Sequence, residues 1–282
     1  MLDVSKLPPL TSAEWPLLSD ITIPVNVHES GGEPGFGGTA VVETDFQAGV
    51  CFLGDLAARR LYTEGSQTAA NILPLVAEAH AKIDIGRRRF RLQAGGLTFR
   101  AQLGHTATGH DLTLRVLPTS CPRLDDLRLP AALKALLLGR NLLDGGLVLI
   151  VAPHGQGKTT TASATVVSRL EAFGGYAQTI EDPCELPTQG VWGKGVCIQR
   201  PAEIQPGDET PGDAFFRSML DSMRQFPAIP HGTQLLVGEI QDSRTATETL
   251  KAAIHGHLVI ATLHARSPAD AIRRLTAMCS SG

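Results

Sequence analysis

The stretch A-P-H-G-Q-G-K-T, residues 152–159, constrains this chain more than any other because of what flanks it. Before it lies LVLIV (147–151), a continuous apolar run of the kind expected where helices cover both faces of a strand. After it, Lys158 to Phe173 reads as a helix that ends at Gly174-Gly175. Between strand and helix, Gly155 and Gly157 let the backbone curl so that successive N–H groups face inward, as phosphate oxygens require. The helix N-terminus adds the positive end of its dipole. Lys158 supplies a point charge to β- and γ-phosphates, and Thr159 offers a hydroxyl to Mg²⁺. The candidate nucleotide set is Pro153, His154, Gly155, Gln156, Gly157, Lys158, Thr159 and Thr160, for a nucleoside triphosphate, ATP foremost. The full pattern, G-x-x-x-x-G-K-[ST], begins with glycine where this chain has Ala152. A chance GQGKT in a surface loop would lack the buried strand before it and the helix continuing through Thr160 and Thr161.

The rest of this half alternates strands with helices, which implies a parallel α/β sheet. LLVGEI (235–240) and LVIATL (258–263) read as buried strands, separated by a helix over 243–254. A last helix begins at Ser267, with Pro268 at its first position and Asp270 completing a capping box. Upstream, period-two alternation marks half-buried strands. Phe90 and Leu92 alternate with arginines; Leu97 to Leu103 and Leu112 to Val116 repeat the pattern, and Gly95-Gly96 suits a hairpin turn. This predicts an antiparallel meander with Arg100 and Arg115 on its polar face. The expected division is an N-terminal α+β domain (1–117), a proline-containing linker (118–130) and an α/β domain (131–282) that opens with a short helix from Ala131 to Leu138. Residues 1–38 read as an irregular lead-in, TAVVE (39–43) as a strand, and Leu75 to Lys82 as a short helix.

Composition narrows the classes. In 282 residues, 43% hydrophobic and 19% charged content describe an ordinary globular protein, and no apolar run approaches the roughly 18 residues of a membrane span. The first residues lack a basic stretch followed by an apolar core, so a cytoplasmic location is expected. A formal charge of −3 gives no reason to expect specific nucleic-acid binding. Five scattered cysteines without a C-x-x-C pair read as reduced, partly buried thiols.

Four motifs in order then carry a resemblance over about residues 88–278. They are GLVLIVAPHGQGKTTT (146–161), the acidic TIEDPCE (179–185), LLVGEIQD (235–242) and HGHLVIATLH (255–264). With these, the chain resembles the ATPases of type IV pili and of type II and type IV secretion systems, the PilT/GspE-like family. The resemblance implies a RecA-like P-loop core with a smaller, PAS-like N-terminal domain. It implies that Lys158 and Thr159 hold phosphate and Mg²⁺, and that Glu181 is the general base that orients the attacking water. Such a carboxylate can accept the water's proton, while most of the rate comes from positioning and charge stabilisation. Glu239 would act near Mg²⁺ through water, His257 and His264 would sense the nucleotide, and Arg100 and Arg115 would reach nucleotide at a subunit interface. Alone, each would read as an ordinary solvated, capping or structural residue; their order is what lifts them.

The family resemblance further implies a ring of six copies, with nucleotide between the two domains of each, driving an inner-membrane platform protein of a pilus or secretion machine. The chain departs from the pattern at Ala152 and at Gln241, where the family usually has arginine; PAIPHGTQ (227–234) is longer than its counterpart. It also stops at Gly282, before the family's C-terminal helical part, and lacks a tetracysteine insertion, which brings it closer to the retraction or conjugative-transfer branches. Two other readings stand beside the motor: an ATP-binding subunit that hydrolyses weakly and regulates or assembles such a machine, and a DNA-handling motor of related core, which the net charge disfavours.

Overall fold

Strand pairing divides the chain into two six-stranded sheets. They belong to two compact units, Met1–Thr119 and Ser120–Gly282. The computed structural model describes residues 13–14, 18–25, 48–52, 59–63, 78–79, 89–107, 109–202, 205, 208, 210–229 and 232–280. The expected strand at 39–43 lies outside these residues, as does the expected helix at 75–82 except for Glu78 and Ala79, which are helical.

The first unit holds β1 (Asp20–Val25), β2 (Ala48–Phe52), β3 (Arg59–Thr63), β4 (Arg89–Ala94), β5 (Leu97–Thr106) and β6 (Gly109–Leu117). Their order is β3-β2-β1-β6-β5-β4, and every pairing is antiparallel. The β4–β5 turn has Gly95 and Gly96 at φ 56° and 77°, the left-handed pair that a tight hairpin demands. Alternation does what it predicted for Leu92, Phe99, Leu112 and Leu114, which form the buried face. Ile21 and Ile23 join them from β1, so residues 20–25, expected within an irregular lead-in, are a strand paired with β2 and β6. On the other face, Arg91, Arg100 and Arg115 occupy successive register positions across β4, β5 and β6, next to Asp20 of β1.

The second unit is the α/β RecA-like P-loop core. It runs α1 (Ala131–Leu137), β7 (Gly146–Ala152), α2 (Lys158–Phe173), β8 (Gly175–Glu181), β9 (Gly190–Trp192), β10 (Gly195–Pro201), α3 (Pro211–Arg224), β11 (Thr233–Val237), α4 (Ser243–Ile254), β12 (Leu258–His264) and α5 (Pro268–Ser280). The sheet order is β7-β12-β11-β8-β10-β9, parallel throughout except for β9. Both faces are covered, so both sets of alternating side chains are apolar. Leu235, Val237, Val259, Ala261 and Leu263 pack with Met219 of α3, Ala246 of α4 and Leu275 of α5. Leu236, Leu258 and Ile260 turn the other way, onto Ala162, Val166 and Leu170 of α2.

Two expectations shift in detail. The segment expected as a linker packs from Cys121 onward along α2. Cys121 and Leu124 are buried, the Leu124 N–H donates to Ser168 Oγ at 2.9 Å, and Arg123 pairs with Glu171. Its prolines bar regular structure, but its apolar side chains still find a surface. The strand expected over 235–240 runs over Thr233–Val237, and its last ladder bond is the Gly238 N–H to the Ile180 carbonyl at 2.9 Å. Ile240 rejoins the neighbouring strand by donating its N–H to the Thr262 carbonyl. Glu239 is thereby lifted out of the sheet at its C-terminal edge.

Candidate nucleotide site

The glycine loop begins where β7 stops. Among the described residues every positive φ belongs to glycine, so Ala152 sits in backbone open to any residue. This explains how the loop tolerates alanine at its first position. Gly155 and Gly157, at φ 74° and 77°, do need glycine. A Cβ at either would meet nothing within 4 Å, so the requirement is conformational and not steric crowding. Residues 153–157 are exposed, Thr159 and Thr160 half-buried, and Lys158 is 8% exposed at the first position of α2. Gly157 caps α2 without any side-chain hydrogen bond, leaving the first amides for an anion.

A polar chain leads away from Lys158. Its Nζ donates to the Pro153 carbonyl at 3.0 Å and lies 3.1 Å from His264 Nδ1. An ammonium has only donors, so Nδ1 must accept. The ring proton is therefore on Nε2, 3.0 Å from Glu239 Oε1, a tautomer assigned from these partners. Glu239 Oε2 in turn accepts from Gln241 Nε2 at 3.0 Å. Gln241 thus donates to the Glu239 carboxylate with a neutral amide. The His154 ring stacks on that of His264, with centroids 5.5 Å apart. Register explains the meeting: His264 pairs with Ala152, which sets the last residue of β12 beside the start of the loop. Burial lowers the affinity of Lys158 for its proton, and the nearby Glu239 carboxylate works against that.

Glu181 ends β8, three strands from β7 and so about 14 Å away in the sheet plane. It is 3% exposed, and burial raises its carboxyl above the usual range. Donors from Gln199, Thr179 and the Glu185 backbone oppose that rise. Its Oε1 accepts from Thr179 Oγ1 at 2.7 Å and from Gln199 Nε2 at 2.9 Å; its buried Oε2 has no hydrogen-bond partner. Gly238 makes room for it: a Cβ there would lie 3.3 Å from both Cα and Cγ of Glu181. Gln199 and Thr179 were not among the sequence-derived candidates. The available signal was a polar residue in the otherwise apolar V-C-I-Q run of β10 and a T-x-E spacing in β8.

The structure gathers the loop, Glu239, His264 and Glu181 at one edge of the sheet, where open parallel sheets bind ligands. It does not bring His257 there. His257 precedes β12, and because Leu258 pairs with Gly146 while His264 pairs with Ala152, it stands at the opposite edge, about 20 Å from the loop. There its Nδ1 lies 2.9 Å from Thr233 Oγ1, its ring contacts Phe226, and burial lowers its pKa. Six residues of extended chain separate the two histidines of one motif, so His257 does not share the edge where the loop, Glu239 and His264 meet. Arg100 and Arg115 belong to the first unit, where they are cross-strand neighbours and Arg115 Nε donates to Asp20 at 2.9 Å.

The sequence matches the family described as Type II/IV secretion system protein over residues 79–281. It is 32% identical over 203 residues to the uncharacterized protein YggR of Escherichia coli K12, covering 68% of this chain and 57% of that one. It is 35% identical over 198 residues to the type II secretion system protein E of Klebsiella pneumoniae, covering 68% of this chain and 36% of that one. The chain therefore spans about half the length, or less, of these relatives. Among solved structures it is similar to the pilus retraction motor PilT with bound ADP, at 26% identity and a TM-score of 0.61, over 93% of this chain and 67% of that one. With the loop, Glu181, Glu239 and His264 at one sheet edge and a family match over residues 79–281, the chain belongs to the type II/IV secretion system protein family.

Proposed function

We propose that this chain is a Mg²⁺-dependent ATPase that drives a pilus or secretion machine. The observation that carries the reading is the convergence of Lys158, Glu239, His264 and Glu181 on the C-terminal edge of four neighbouring parallel strands. Loop amides and Lys158 hold the phosphates, and Glu181, beyond them, accepts the proton of the attacking water. The hydroxyl of Thr159 and the carboxylate of Glu239 are oxygen donors suited to Mg²⁺, which takes the rest of its shell from phosphate and water. When bound, the ion would offset charge on the phosphate oxygens.

Arg100 and Arg115 would meet the nucleotide of a neighbouring copy in a ring, taken as six-membered, that works on an inner-membrane platform protein from the cytoplasmic side. Among the described residues no helix is long and apolar enough to cross a membrane. The test is Glu181→Gln in the purified chain: ATP binding should persist while turnover falls at least about 100-fold. Unchanged turnover would remove Glu181 from the role of base.

A second reading is an ATP-binding subunit with weak hydrolysis, and the neutral Gln241 at Glu239 favours it. Measured alone and mixed with a full-length family member, such a chain would turn over ATP only in the mixture.

A further inference from the structure

We infer that Gln199 is a positioning residue for the hydrolytic step, acting with Thr179 to fix the Glu181 carboxylate so that Oε2 alone faces the reaction. The inference rests on the reading of Glu181 as the base.

The geometry begins with register. In the parallel β8–β10 pair, Gln199 stands opposite Thr179, two residues before Glu181. Both side chains therefore reach the same carboxylate from below, and both donate to the same oxygen, Oε1, at 2.9 and 2.7 Å. The Gln199 amide is itself held. Its Nε2 also donates to the Leu186 carbonyl at 2.7 Å, so both amide hydrogens are engaged by acceptors. Turning the amide over would set its oxygen against a carboxylate and a carbonyl, so only one orientation is stable. Its backbone N–H is taken by Gln189 Oε1 at 2.6 Å. Gln199 thus joins Glu181 to the loop that follows it, at Leu186 and Gln189.

The two oxygens of Glu181 are left unlike. Oε1 accepts from both side chains, while Oε2 is buried with no hydrogen-bond partner; the Glu185 backbone N–H also approaches the carboxylate, without closing a bond of ordinary geometry to Oε2. Buried polar atoms nearly always find partners, so an orphan carboxylate oxygen marks a place where a partner is expected to arrive. A water activated for attack would supply that partner, donating its hydrogen to Oε2. The surroundings are arranged to leave the carboxylate available. The titratable neighbours acting on it are Glu185 and the thiols of Cys121 and Cys197, and both thiols are pushed up to about 12, hence neutral. Among the described residues no cation forms an ion pair with Glu181; its restraint comes from neutral donors, which orient it without neutralising it.

A base held on one oxygen by two fixed donors keeps its approach to water within the narrow range that catalysis needs, where an error of about 1 Å can cost about 100-fold. The experiment is steady-state Mg–ATP hydrolysis by the whole chain carrying Gln199→Met, with Thr179→Val and Thr179→Ser beside it. Gln199→Met should lower kcat about 10- to 100-fold while KM for ATP stays within about two-fold. Thr179→Val removes only the hydroxyl and should also lower kcat, and Thr179→Ser, which restores it, should exceed Thr179→Val several-fold. Unchanged kcat in Gln199→Met, a parallel rise in KM, or equal rates for the two Thr179 variants would overturn the inference. Faster turnover in Gln199→Met would overturn it too, by showing a restraint instead of a guide. Thermal melting of each variant identifies simple unfolding, and the Thr179 pair then decides. If Glu181→Gln retains turnover, the reading of the base fails; if Glu181→Gln is inactive and Gln199→Met is normal, only the role of Gln199 fails.

Discussion

Lys158 Nζ lies 3.1 Å from His264 Nδ1, so the lysine of the glycine loop is already engaged by the last residue of β12. With its second bond to the Pro153 carbonyl, the ammonium has two partners that a triphosphate bound as proposed would replace. The histidine in turn links Lys158 to Glu239, placing a positive and a negative group at the two ends of one neutral ring. On the proposed function, nucleotide arriving at the loop would displace these contacts and so be felt at the Glu239 carboxylate.

Nitrogen NMR of histidine-labelled protein should show His264 as the Nε2–H tautomer without nucleotide, and its Nδ1 signal should move when Mg–ATP is added. Lys158→Ala should weaken ATP binding about 10- to 100-fold, the worth of one hydrogen bond to a charged group. An Nδ1-protonated ring in the free protein would contradict the assignment.

Glu181 should destabilise the nucleotide-free fold at neutral pH. Its folded pKa is raised above the ordinary 4.5 chiefly by burial, so its contribution is complete below that value and is lost as pH rises through the folded pKa. Glu181→Gln cannot titrate. Its melting temperature should match the parent near pH 4 and exceed it by a few degrees at pH 8, a gap that widens with pH. A gap that narrows as pH rises would reverse the sign argued here.

Ala152→Gly restores the usual first loop residue but meets no backbone need, since Ala152 has no positive φ. ATP affinity should stay within about two-fold. Stability should drop by about 0.5–1 kcal/mol from the added freedom of the unfolded chain, read from chemical denaturation. Abolished binding would show that this position is misread.

No disulfide joins any of the five cysteines, and thiol reactivity should follow burial. Burial pushes Cys51, Cys121 and Cys197 up to about 12, leaving almost no thiolate at pH 8, and Cys184 is 2% exposed. Titration with a disulfide reagent should find about one fast thiol, Cys279, before denaturant and the remaining four after it. Several fast thiols in the native protein would show a looser core.

The loop from Ala152 to Thr159, helix α2, helix α4 and the meander β4–β6 were legible in the residues because each rests on local signals. These were glycine placement, apolar periodicity of 2 or 3.6 and capping, all of which act within a few residues of chain. The order of the four motifs likewise indicated the kind of site. What sequence order could not supply was the pairing of distant strands. His257 and His264 share one motif, yet β12 runs between them and carries them to opposite edges of the sheet. Gln199 follows Glu181 by eighteen positions, in a segment (VCIQR, 196–200) that resembles the family without assigning it a role, yet parallel register sets its amide on the carboxylate. Local physics wrote the elements and the glycine loop into the chain. Only non-local hydrogen bonding between strands decided which side chains meet, because register is settled where whole strands pair and their apolar faces are buried together.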